Sequence, residues 1–422
     1  MKSDLPNGAE GKQVNEFKQV VKQFHTNGIS VLLDVVYNHV SQYDYNPFKL
    51  IDKKYYFRLD QNFNALSVSG CGNDFKTERP MARRMIIESV KYWITEYHVD
   101  GFRFDLAQMI DKETCRQILS EARKINPNVF IIAEPWGGGY DPNGFSDIDW
   151  ASWNDQIRNG IKGWNPGDDK KGFIFGQFRD GYDYNSLVRW VTGSLREDGG
   201  QYKNVAHSIN YIESHDDATF GDFVREAIGK VKPHQKITDL TAHAKLSPEE
   251  IKLHKLAAMF LFTSQGPVMI HSGQEFGRSK VIAPTDTGDP RVGEMDHNTY
   301  DKDNETNWIN YDHADLNADL VSFYKGLISL RKKYQVLTHS QKSNIHFYRY
   351  ANPLVLMYEF NGQSFSEPNI LVIMNGDRHH HTEVVLPEGK WNVLFTNADQ
   401  ALRSVSGHFV VRESDGYILI KE

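Results

Sequence analysis

Nine-residue apolar runs alternating with helical segments constrain this chain most. ISVLLDVVY (Ile29–Tyr37), VDGFRFDLA (Val99–Ala107) and NVFIIAEPW (Asn128–Trp136) are too short for ordinary helices and rich in β-branched or aromatic residues. Runs apolar on both faces read as strands buried on both sides of a parallel sheet. Helical spacing precedes or follows each. Val14, Phe17, Val20, Val21 and Phe24 form one stripe, stopped by Gly28. Ile86, Val90, Trp93, Ile94 and Tyr97 form a second, and Ile118, Leu119 and Ala122 lie on a third.

The alternation continues. SINYIESHD (Ser208–Asp216) and PVMIHSG (Pro267–Gly273) read as strands, with a weaker one near Trp153. Ser247-Pro248-Glu249-Glu250 is a capping box with proline at the first helical position, opening a helix through Leu256, Met259, Phe260 and Phe262 before Gly266. A last helix runs through Leu320, Phe323, Tyr324, Leu327 and Leu330 to Lys333. Strands alternating with helices predict an α/β fold with helices outside a parallel sheet. The expectation is a (β/α)8 TIM-type barrel of which about six strands are visible, so that the first two are lacking and the chain is truncated at its N-terminus.

From Tyr334 the rhythm changes. IHFYRY, LVLMYEF, NILVIMN, TEVVLP, KWNVLF, GHFVV and GYILI are short alternating runs separated by turn residues. They predict an antiparallel β-sandwich. The expected domains are therefore residues 1–334, the barrel, and 335–422, the sandwich.

The charge balance narrows the partners. A net charge of -7 gives no basic face for nucleic acid. No apolar stretch approaches the ~20 residues that span a membrane. The two cysteines, Cys71 and Cys115, are too few for a disulfide framework and read as unpaired thiols. Met1-Lys2-Ser3-Asp4 leads into polar residues without the apolar core of a signal peptide. A barrel without its first strands would expose two sheet edges, a route to self-association.

Three carboxylates end three of the apolar runs: Asp105 in GFRFDLA, Glu134 in IIAEPW and Asp216 in NYIESHDD. The C-terminal ends of barrel strands are where such folds build active sites. Paired carboxyls facing a cleft are the equipment for cutting a glycosidic bond. Arg103 lies two residues before Asp105 and so on the same side of the strand, where a guanidinium favours an anionic carboxylate. Glu134 would need to hold a proton, and neighbouring carboxylates would raise its pKa. Pro135 and Trp136 would turn the chain and wall the cleft. His379-His380-His381 follows Gly376-Asp377 in a turn and reads as solvated, as do the acidic runs near Asp168-Asp169 and Asp301–Asp303.

DVVYNHV (Asp34–Val40), GFRFDLA, AEPW and ESHDD, in this order, resemble the signature regions of the alpha-amylase superfamily of glycoside hydrolases. Ser69–Leu106 and Met295–Asp312, with the YKGLISLRKKY helix, resemble type I pullulanases more closely. The resemblance implies a retaining hydrolase of α-1,6-glucosidic branch linkages, acting on pullulan, starch, glycogen or limit dextrins. It implies Asp105 as nucleophile, Glu134 as general acid and base, and Asp216 as transition-state stabiliser. His39 and His215 match residues that hydrogen-bond the sugar, and Asp34 and Asn38 match support for Arg103 and the cleft floor. In some relatives the Asn38 position binds calcium; calcium is possible here but one asparagine does not make a site needing ~6–8 oxygens, so none is claimed and no other cofactor is expected. Two departures stand out. AEPW is similar to the isoamylase version of its region, and Asp217 stands where pullulanases commonly carry asparagine. An α-1,4-glucan hydrolase of the neopullulanase or cyclomaltodextrinase kind is the alternative activity. An inactive glucan-binding fragment is the alternative of another class.

Overall fold

The apolar runs become strands because only a sheet buries both of their faces. A computed structural model describes residues 11–40, 45–167, 171–179, 181–399 and 402–422. Met1–Asp4 and Asp168-Asp169, noted above, lie outside these. Two compact units divide the chain: Met1–Trp153 with Gln201–Lys203, and Asn154–Gly200 with Asn204–Glu422.

In the first unit the order is α1 (Lys12–Thr26), β1 (Leu32–Val35), β2 (His39–Val40), α2 (Pro47–Tyr56), β3 (Asn73–Asp74), α3 (Pro80–Tyr97), β4 (Gly101–Phe104), α4 (Lys112–Ile125), β5 (Phe130–Ala133), α5 (Pro142–Asp147) and β6 (Ala151–Trp153). β1, β4, β5 and β6 are neighbours in that order, and every pairing is parallel. The weak expectation near Trp153 is thus β6. Phe102 and Phe104 of β4 and Ile131 and Ala133 of β5 bury against Ile86, Val90 and Ile94 of α3 and Ile118, Leu119 and Ala122 of α4. Gly101 is required by close approach, since a Cβ there would lie 2.0 Å from the Phe130 carbonyl oxygen. Asp111 starts α4 by accepting the Thr114 N–H at 3.0 Å.

The predicted stripe of α1 is only partly used. Val21 is buried, but Val20 is 45% and Phe24 43% exposed. Ile29 and Val36, at the two ends of the first apolar run, are also exposed, and β1 has β4 as its one partner among the described residues. Cys71 is exposed and Cys115 buried, and among the described residues they form no disulfide.

The second unit runs α6 (Asp155–Ile161), α7 (Tyr184–Val191), β7 (Ser208–Ile209), α8 (Phe220–Ala227), α9 (Leu240–Ala244), α10 (Pro248–Thr263), α11 (Asp312–Leu316), α12 (Ala318–Lys333) and α13 (Val336–His339). Strands follow: β8 (Ile345–Tyr348), β9 (Val355–Phe360), β10 (Ile370–Asn375), β11 (Thr382–Val385), β12 (Trp391–Thr396), β13 (Ser404–Val405), β14 (His408–Val411) and β15 (Gly416–Lys421). The capping box at Ser247 and Glu250 is present on both sides. The expected strand Pro267–Gly273 is reduced to one parallel bridge, Asn210 to Val268.

All seven predicted C-terminal runs are strands; β13 was not foreseen. β13, β12, β15, β10, β9 and β8 form an antiparallel sheet, and β11 pairs with β14. Along β9, Val355 and Met357 face a core shared with Val384, Trp391 and Val411, while Leu356, Tyr358 and Phe360 face the core that holds α10 and α12. The larger sheet is therefore apolar on both faces, and the change of rhythm at Tyr334 falls inside the second unit.

Candidate active site

Strand register sets the site of the first unit. Val35 lies beside Phe104, and Phe104 beside Ala133. The next N–H groups extend the ladder by one step: Asp105 donates to the Val35 carbonyl and Glu134 to the Phe104 carbonyl, each at 3.0 Å. Asp105 and Glu134 thus leave the sheet at the same level, at the C-terminal ends of neighbouring strands. Asp34 stands beside Arg103 on the adjoining strand.

Arg103 gathers the three acids. Its Nη1 donates to Asp34 Oδ1 at 2.8 Å and to Asp105 Oδ1 at 2.9 Å, and its Nη2 is 2.9 Å from Glu134 Oε1. The guanidinium also lies 4.5 Å from the Trp153 ring, a contact the sequence did not announce. Burial alone would lower its pKa; the carboxylates of Glu134, Asp34 and Asp105 outweigh that and hold it above its ordinary value. One cation thus serves three carboxylates.

Asn38, fully buried, donates through Nδ2 to the Asp105 carbonyl at 2.7 Å and to Asp105 Oδ2 at 3.1 Å. Its Oδ1 meets His39 Nδ1. The Asp105 carboxylate is therefore held from both sides yet is 22% exposed, while that of Glu134 is 8% exposed. Glu134 meets a guanidinium and an N–H donor: Leu106 N–H donates to Oε2 at 2.7 Å. Leu106 does so from the left-handed region, at φ 36°. Ala107 N–H and Gln108 N–H then donate to the Glu134 and Trp136 carbonyls, tying the two loops together.

The turn expected at Pro135-Trp136 is made two residues later, by Gly137 and Gly138 at positive φ. It folds Trp136 back on Tyr140, ring centroids 4.5 Å apart, and the Tyr140 hydroxyl donates to Gln201 Oε1 at 3.2 Å.

His215 and Asp216 belong to the second unit. His215 Nε2 is 3.6 Å from Asp216 Oδ2. Asp217, at φ 60°, is paired through Oδ2 with Arg158 Nη1 at 3.2 Å. Glu213 of the same motif is buried; it accepts the Phe220 N–H at 2.8 Å and meets His271 Nδ1 at 2.7 Å. Sequence reasoning passed over Leu106, Trp153, Arg158, Glu213 and His271. Only Glu213 had a signal, as a charged residue inside a strand.

Elsewhere the solvated readings vary. His379, His380 and His381 are exposed, and His380 Nδ1 is 3.2 Å from Asp377. Asp301 and Asp303 are exposed too, but Lys302 between them turns inward to Asp286 and to Asp289 at 2.9 Å.

No family model matches the chain. It is 30% identical over 333 residues to a pullulanase of Bacillus subtilis (strain 168), covering 75% of this chain and 42% of that one. It is 30% identical over 358 residues to the glycogen operon protein GlgX homolog of Mycobacterium bovis, covering 77% and 46%. Among solved structures, a pullulanase of Anoxybacillus sp. LM18-11 in complex with maltotetraose is similar with a TM-score of 0.79 and 26% identity, over 97% of this chain and 56% of that one. The chain spans less than half the length of these two curated relatives. The relatives and structural neighbours it is similar to are thus pullulanases, GlgX homologs and an isoamylase.

Proposed function

We propose that this chain hydrolyses α-1,6-glucosidic branch linkages of pullulan, starch, glycogen or limit dextrins, with retention at the anomeric carbon. The observation that carries the reading is one guanidinium, Arg103, holding Asp34, Asp105 and Glu134 at the ends of neighbouring parallel strands. Relatives whose names are those of pullulanases support the bond cleaved, and a similar structure holding maltotetraose supports the class of ligand. The fold inferred is a β/α barrel of the alpha-amylase type.

In this reading Asp105 is the nucleophile. Arg103 and Asn38 aim its oxygens, and its partial exposure leaves it open to the anomeric carbon. Glu134 protonates the leaving oxygen as the glycosyl bond to Asp105 forms, and then takes a proton from the water that releases the sugar. Asp216 stabilises the oxocarbenium-like transition state. His39 and His215 hydrogen-bond the sugar, and Trp136 walls the cleft. Two carboxyls and water complete the cycle, so no cofactor is required.

Pullulan digestion tests the reading, with Glu134→Gln as control. Maltotriose from the native chain and none from the variant is the expected result. Panose would mean α-1,4 cleavage, and equal product from the variant would remove Glu134 from the chemistry.

A further inference from the structure

The turn that carries His215 and Asp216 is held by a buried ammonium group. Lys280 is 1% exposed. Its Nζ donates to the main-chain carbonyls of His215, at 3.2 Å, and Asp217, at 2.8 Å. Among the described residues no carboxylate lies within ion-pair distance of it. Burying a cation without a carboxylate is costly, so the position demands a use. Burial indeed pushes its pKa down, against the charges of Glu213, Asp222 and Asp296 and with that of Arg278.

The ammonium is aimed by its own backbone. Lys280 N–H donates to Asp222 Oδ2 at 2.8 Å, and its carbonyl accepts from Asp296 N–H at 2.8 Å. The two carbonyls it reaches flank Asp216. Two such dipoles converging on one point repel unless a cation lies between them. The same turn is fixed at its base by Glu213, through Phe220 N–H and His271, and by Thr219, which donates to the Arg278 carbonyl at 2.7 Å. Among the described residues the Asp216 carboxylate has no comparable anchor. Its neighbour His215 Nε2 is at 3.6 Å, beyond hydrogen-bond length, and it is 34% exposed. Its direction is therefore set by the main chain.

We propose that Lys280 is a positioning residue for Asp216, fixing the backbone of residues 215–217 and through it the direction of the carboxylate. The inference rests on Asp216 being the stabilising acid, and the test separates the two.

The variants are Lys280→Met, Lys280→Arg and Asp216→Asn in the full chain, with kcat and KM measured on pullulan and folding followed by thermal melting. Misdirected catalytic groups cost roughly 100-fold. Lys280→Met is expected to lower kcat by about 10- to 100-fold with KM changed by less than about three-fold, and Lys280→Arg to restore most of it. Near-native turnover by Asp216→Asn would remove the role of Asp216 itself. Inactive Asp216→Asn beside fully active Lys280→Met would overturn the positioning role alone. A crystal structure of Lys280→Met decides the geometry whatever the turnover. Asp217 should leave the left-handed region, and an unchanged 215–217 backbone would overturn the inference. Should Lys280→Met not fold, Lys280→Gln takes its place in both measurements.

Discussion

The main-chain N–H of Leu106 donates to Oε2 of Glu134 at 2.7 Å, from a backbone at φ 36° that leucine rarely adopts. The residue after the proposed nucleophile thus holds the proposed acid. Strain of this kind persists where the surroundings over-determine it, and it concentrates at working sites.

Glycine enters that region freely, whereas a β-branched residue is the worst fit. Leu106→Gly should keep kcat within about three-fold, and Leu106→Val should lose on the order of 1–3 kcal/mol of stability together with most activity. Melting curves and kcat for the pair check this. A Leu106→Val chain indistinguishable from native would mean that the Glu134 contact is incidental.

The Arg103 guanidinium is bound to three carboxylates. Without it three carboxylates face one another with no cation between them. Arg103→Met should lower kcat by about 100-fold or more. Arg103→Lys keeps the charge but cannot fork between acids on three strands, so it should recover little. The kcat of both variants is the measurement, and near-native turnover by Arg103→Met would count against the cluster.

The acids were legible because each ends an apolar run, and the alternation of runs and stripes gave the parallel strands. The seven C-terminal strands were legible for the same reason, since period-two patterning leaves few alternatives. What was hidden is of another kind. Leu106 has none of the composition of a left-handed position. Lys280 acts on a turn more than sixty residues away, as |i−j| of 65 and 63 to its two carbonyls shows. Asp301 and Asp303 advertise a charged loop, but Lys302 between them is the residue the fold uses. Patterning along one strand also cannot say that both faces of β9 will find apolar partners.

Gly101 admits no side chain, because a Cβ would fall 2.0 Å from the Phe130 carbonyl oxygen across the β4–β5 pairing. Gly101→Ala must push these strands apart at the level that leads to Asp105 and Glu134. A loss of roughly 1–3 kcal/mol or more is expected, read from denaturant unfolding. An unchanged midpoint would show that the two strands are not held at this spacing.

His254 is fully buried against Phe220, with ring centroids 4.4 Å apart, and among the described residues neither ring nitrogen has a hydrogen-bond partner. Burial, with Arg225 nearby, pushes its pKa down from 6.5 to about 3. Between these values the unfolded chain binds a proton that the native chain refuses, so stability falls as pH drops through that window. The slope from this one group is about 1.4 kcal/mol per pH unit. His254→Leu should flatten the fall by that amount in melts taken from neutral pH downward, and an equal slope in both proteins would contradict the assignment.

The central claim, that Asp105 becomes covalently glycosylated, is tested most directly by trapping. The chain is incubated with a fluorinated maltosyl fluoride, which forms the glycosyl-enzyme faster than water can release it, and its peptides are mapped by mass. The account predicts one added glycosyl mass on the peptide that contains Asp105 and none in Asp105→Asn. Turnover of the reagent with inverted product, or an adduct on Glu134, would contradict it.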